Sequence, residues 1–143
     1  MNDLKPGVRG EKIVEVTRDL AIDFMGLAEA RVLATPWLIM LLEMTARDSV
    51  KPLLPHGHDS VGTEVNVKHL AATPVGMRAT FRSELISVDG RRLVFRVEAW
   101  DDRDKISEGT HERTVIDITK FAERSAAKSR SADTFAQRRA SKQ

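Results

Sequence analysis

Val32-Leu-Ala-Thr-Pro-Trp-Leu-Ile-Met-Leu-Leu-Glu-Met-Thr-Ala46 is the most apolar stretch of the chain, and Glu43 is its only charged residue. Thr35-Pro36 opens a helix: Thr is a good N-cap, and Pro is favoured at the first helical position. The pattern predicts a helix running to about Val50 and stopping near Lys51-Pro52. Its first turns are apolar nearly all round, so the helix calls for cover on most sides. A carboxylate in such a helix is costly to bury unless it is paired, protonated or used. Glu43 is therefore the first residue around which to look for chemistry.

Downstream, everything from Pro55 to about Phe121 reads as strand and turn. Val61, Thr63, Val65, Val67 and His69 alternate with Gly62, Glu64, Asn66 and Lys68. Thr80–Val88 and Arg91–Trp100 flank Asp89-Gly90, a strong two-residue hairpin signal. In the second of these segments Leu93, Phe95, Val97 and Ala99 form an apolar face. Asp101 to Asp104 reads as a turn, and Lys105–Ile118 as one further strand. Upstream, Lys12–Asp19 alternates in part and reads as a first strand, followed by a loop over Leu20–Arg31. The order is strand, one buried helix, then about four antiparallel strands. An α+β hotdog fold meets the helix's need for cover, with a curved antiparallel sheet wrapped around it.

At 143 residues the expected organisation is one domain over residues 1–121, with a basic, flexible or frayed-helical tail over 122–143. That tail carries six Lys/Arg against two Asp/Glu, a net of +4, while the whole chain is only +2. The basic balance thus belongs to the tail, which reads as solvated rather than as a nucleic-acid surface. There is no cysteine, which excludes disulfides, zinc–thiolate sites and thiol nucleophiles and fits a cytoplasmic protein. The N-terminal residues hold no secretory h-region. No apolar run reaches the roughly 20 residues that a membrane span needs.

His69 falls on the same alternating face as Val61, Val65 and Val67, the face expected to meet the helix. It reads either as a satisfied core histidine or as a partner of Glu43, in which case the two would tune each other's pKa for acid–base work. The structural alternative for Glu43 is an ion pair with Arg47 one turn on. Thr35 has a plain role as N-cap, and a helix start can also stabilise a developing oxyanion. Eight residues, or about 12 Å of straight helix, separate Thr35 from Glu43. The two therefore flank a substrate from different sides unless Thr35 folds back. Gly109, His111 and Arg113 share one face of the last strand. Arg113 could hold a carboxylate or phosphate, Glu43 included, or point to solvent.

His56-Gly57-His58-Asp59 begins like the metal run of metallo-β-lactamase-like hydrolases, but Ser60 and Val61 stand where that run needs Asp and His. It reads as a polar loop, and no metal site is expected. Asp102-Arg103-Asp104 lacks the Gly and distal Glu of a calcium loop. No Gly-rich phosphate loop or Gly-x-Ser-x-Gly elbow is present.

Gly62-Thr-Glu-Val-Asn-Val-Lys-His69-Leu-Ala-Ala-Thr-Pro-Val-Gly76 resembles the fluoroacetyl-CoA thioesterase-like family of hotdog proteins. So do Ser87-Val-Asp-Gly-Arg-Arg-Leu93, Gly109-Thr-His-Glu-Arg-Thr-Val-Ile116 and the helix from Val32 to Glu43. The resemblance covers about residues 32–121. It implies hydrolysis of a short acyl-CoA thioester by a homodimer, with coenzyme A as part of the substrate and no further cofactor. The family's catalytic Thr, Glu and His fall on Thr35, Glu43 and His69, its thioester-contacting Gly on Gly62 and its active-site Arg on Arg113. Pro36 and Trp37 differ from the small neighbours that the family carries after the Thr. Glu29 stands where fluoroacetyl-specific members carry an aromatic gate, which argues against assuming fluoroacetyl-CoA as the substrate.

On this reading, donors near Gly62 or the helix start polarise the thioester carbonyl. Glu43 attacks or activates water, Thr35 positions the attacking group or attacks in its place, and His69 assists departure of the thiolate. The alternative on the same scaffold is a non-catalytic module that binds acyl-CoA or another small ligand. A hotdog enoyl-CoA hydratase would need an Asp-x-x-x-x-His spacing that this chain does not offer.

Overall fold

In the computed structural model, residues 3–141 are described. The elements in chain order are β1 (Arg9–Glu15), α1 (Thr35–Val50), β2 (His58–His69), β3 (Arg78–Asp89), β4 (Arg92–Asp101), β5 (Lys105–Asp117) and α2 (Ile118–Ser141). The five strands form one antiparallel sheet in the order β1-β3-β4-β5-β2. This is the α+β hotdog arrangement expected from the pattern. The first strand lies a few residues earlier than Lys12–Asp19, a short 3-10 turn over Arg18–Leu20 ends that stretch, and a second over Ala28–Ala30 lies within Leu20–Arg31.

The hairpin between β3 and β4 closes on Asp89 paired with Arg92, leaving Gly90 and Arg91 as the turn. Gly90 has φ of +61°, the left-handed value that a tight hairpin turn demands of its first central residue. The sequence signal therefore sits one residue ahead of the turn's true centre.

Helix α1 lies across the sheet and touches β3, β1, β2 and β4. Leu38, Leu41, Leu42, Ala46 and Val50 bury one face of it against Phe81, Leu85, Leu93, Phe95 and Val97. Each of the larger side chains contributes about 1.5–3 kcal/mol through burial. The opposite face is open, contrary to the expectation of burial on most sides: Trp37, Met40 and Met44 are 40%, 48% and 39% exposed. They stand at i, i+3 and i+7, which makes one apolar stripe along the helix.

β2 is an edge strand, and its pairing with β5 slips between Gly62 and Glu64. The slip is a β-bulge, which shifts the alternation of faces by one residue. Before it, Ser60 is buried and Gly62 faces α1; after it, Val67 packs on the core and His69 follows on the same side. Val61 is therefore not on the face of His69, as simple alternation had it.

The basic tail is helical. α2 runs without interruption from Ile118 to Ser141 and buries none of its residues. No helix among the described residues is long and apolar enough to cross a membrane.

Candidate active site

Thr35 is the first residue of α1, and the N-cap is Ala34. No side chain caps this helix, so the expected capping role of Thr35 is not realised. Its hydroxyl turns instead to β2, where Oγ1 lies 2.7 Å from His69 Nδ1. Pro36 has no N–H, and the first intrahelical bond runs from Leu38 N to Ala34 O. The N–H groups of Thr35 and Trp37 thus precede the helical ladder and carry the positive end of the helix dipole.

His69 is half-buried, and its Nε2 is buried with no hydrogen-bond partner among the described residues. Burial holds its pKa below the ordinary value. The ring is therefore neutral near pH 7, and Nδ1 can receive the Thr35 hydroxyl proton.

Glu43 lies two turns further along α1 with its side chain 32% exposed. Its partner is not Arg47, which makes a two-pronged contact with Asp59 at 3.1 and 2.6 Å. Nor is it His69, which is engaged with Thr35. Glu43 Oε2 accepts a hydrogen bond from Arg113 Nη1 at 3.3 Å.

Arg113 does not point to solvent. It is 5% exposed, and Nε and Nη2 donate to Ser60 Oγ and Ser60 O, each at 2.7 Å. A buried guanidinium needs such a set of acceptors to offset its lost hydration. Gly62 sits directly over the carboxylate: a β-carbon there would fall 2.5 Å from Glu43 Oε2. Any larger residue at this position would push the Glu43 carboxylate from where it lies.

Two pairs thus line the site, Thr35 with His69 at the start of α1 and Glu43 with Arg113 two turns later. Ser60 and His111 complete the second pair and were not among the residues singled out from sequence. Ser60 gave no motif signal. His111 shares the strand face of Arg113, a spacing visible in the sequence, but its partners are long-range. Among the described residues no cluster of His, Cys, Asp and Glu is arranged to hold a metal ion.

Comparison with known proteins places this geometry in context. The family model for the fluoroacetyl-CoA-specific thioesterase matches residues 16–119. Fluoroacetyl-CoA thioesterase of Streptantibioticus cattleyicolor is 47% identical over 90 residues, which span 63% of this chain and 65% of that protein, slightly less than two thirds of its length. A single-residue variant of the fluoroacetyl-CoA-specific thioesterase, solved with fluoroacetate and CoA, superposes with a TM-score of 0.75 at 39% identity, covering 82% of this chain and 99% of that one. A hypothetical protein of Thermus thermophilus, described as a thioesterase superfamily member, shares the fold with a TM-score of 0.84 at 24% identity, covering 94% of this chain and 99% of that one. With most of its folded body matched by the family model and its five candidate residues gathered around α1 and β2, the chain belongs to the fluoroacetyl-CoA-specific thioesterase family.

Proposed function

We propose that this protein is an acyl-CoA thioesterase that hydrolyses the thioester of a short acyl-CoA. Thr35, Glu43 and His69 carry the chemistry, and Gly62 and Arg113 hold the reacting groups in place. The observation that carries this reading is the 2.7 Å bond between Thr35 Oγ1 and His69 Nδ1, at the start of the helix that also presents Glu43. Family membership supplies the substrate class, and one relative was solved with CoA bound.

Donors near Gly62 or the N–H groups at the start of α1 polarise the thioester carbonyl. Glu43, held by Arg113, either attacks the acyl carbon or draws a proton from the water that does. The tetrahedral oxyanion collapses, the C–S bond breaks, and the thiolate leaves with a proton relayed through His69. Where Glu43 itself attacks, water then cleaves the resulting acyl–Glu43 anhydride and restores the carboxylate; on either route the products are free CoA and the carboxylic acid, with water as the only co-reactant.

The protein works as a homodimer in this proposal. The open apolar stripe of Trp37, Met40 and Met44 and the unpaired edge of β2 are surfaces that a second copy covers.

The test is thiol release from short, branched, aromatic and halogenated acyl-CoAs, run beside Glu43→Gln and His69→Ala. Each substitution is expected to lower kcat by about 100-fold or more. Turnover that survives both would sink the site assignment. Measurable binding with no turnover on any acyl-CoA would point to a ligand-binding module instead.

A further inference from the structure

His111 is buried to 1% exposure and stacks on Phe95 with ring centroids 6.2 Å apart. Both of its ring nitrogens are engaged. Nδ1 lies 2.8 Å from the main-chain oxygen of Glu64, and Nε2 lies 3.1 Å from Arg113 Nη1. A carbonyl only accepts and a guanidinium only donates, so the protonation is forced: Nδ1 carries the hydrogen and Nε2 offers its lone pair. The ring is a neutral imidazole with a single permitted tautomer.

The two ends of this ring meet two things the site depends on. Glu64 is the residue on which β2 resumes its pairing after the bulge. Residues 62 and 69 are seven apart, an odd number, so a regular strand would place Gly62 and His69 on opposite faces. The bulge brings both to the face of α1. At its other end the ring accepts from the same Nη1 that holds Glu43.

We propose that His111 is a positioning residue that, as a neutral imidazole protonated on Nδ1, ties the β2 bulge to Arg113 and so sets the Glu43 carboxylate against Gly62. This rests on the thioesterase reading of the site. The groups that face the ring support the neutral form. Burial lowers the His111 pKa and the nearby Arg113 charge lowers it further, against the opposing Glu64 carbonyl and the carboxylates of Glu43 and Glu112. A proton on Nε2 would face the Arg113 guanidinium and turn toward Glu43 Oε2, 4.0 Å away, competing with Arg113 for it.

Two measurements test this. Nitrogen NMR of the wild-type imidazole should report the Nδ1–H tautomer of His111 from about pH 7 to 9 (roughly the range in which even an unperturbed histidine is mostly neutral). An Nε2–H tautomer or a charged ring there overturns the proposal. In steady-state kinetics on the best acyl-CoA substrate, His111→Phe keeps the ring volume but neither hydrogen bond. It should lower kcat by about 100-fold with KM nearly unchanged, as expected when a reacting group is misplaced. His111→Gln, whose amide oxygen can accept from Arg113, should recover at least about a tenth of wild-type kcat. If His111→Phe does not fold, the tautomer and the Gln variant decide alone. Wild-type turnover in His111→Phe, with Glu43→Gln inactive, overturns the positioning role and leaves the site reading standing. Turnover in Glu43→Gln overturns the site reading itself.

Discussion

Gly62 is where a single atom decides the site. The Glu43 carboxylate and the β2 backbone approach so closely that a methyl group cannot fit between them without moving Oε2. Gly62→Ala should therefore displace the carboxylate from Arg113 and lower kcat by about 10- to 100-fold, while a thermal melt moves only slightly. Kinetics and melting on one sample check this; unchanged kcat would show that Glu43 works from a second position. The same scale explains why Arg113 can be buried at all. Its two bonds to Ser60, one to Glu43 and one to His111 replace the water that it loses.

At the scale of elements, one bulge and one helix face organise the protein. The bulge in β2 brings Gly62 and His69 to the same side, where α1 presents Glu43 and Thr35 two turns apart. The opposite face of α1 leaves the Trp37, Met40 and Met44 stripe uncovered. If a second copy covers it, Met40→Lys combined with Met44→Lys should turn a dimer into a monomer. Light scattering at working concentration would read this as a halving of mass. A dimer that persists in the double variant would place the contact elsewhere. α2 contributes to neither feature. It is a long basic helix that buries nothing and touches the body through β5.

Across the whole molecule, two histidines couple the site to stability. Burial holds both His69 and His111 below the ordinary histidine pKa. An unfolded histidine titrates near 6.5, so below that pH the unfolded chain takes up protons that the folded chain refuses. Stability is full above about pH 6.5 and falls as the pH drops through the lower folded values. The melting temperature should be lower at pH 5 than at pH 7.5, and His111→Gln should flatten that slope. An equal melting temperature at both pH values in the wild type would contradict this linkage. Asp59, held low by Arg47, adds acid sensitivity only further down, as the pH falls from the ordinary carboxylate value toward its lower folded one.

Much of this was legible in local chemistry. Thr35-Pro36 and Lys51-Pro52 bracket α1 because proline fits a helix start and resists a helix interior, and the structure places the helix between them. The Asp-Gly signal located the hairpin to within one residue. The lone Glu43 in an apolar helix marked the site because a carboxylate there needs a reason. What the local pattern could not decide was which side chain meets which. A bulge costs one unpaired residue and leaves no motif, yet it reverses every face that follows it. Glu43 met Arg113 rather than His69 or Arg47, and Thr35 met His69 rather than capping its own helix, because those choices depend on strands brought together from 34 to 70 residues away. Residue types and helix boundaries follow from the sequence by itself; the partners, the strand register and the open face of α1 were decided by the tertiary structure alone, since they arise only when distant segments compete for the same space.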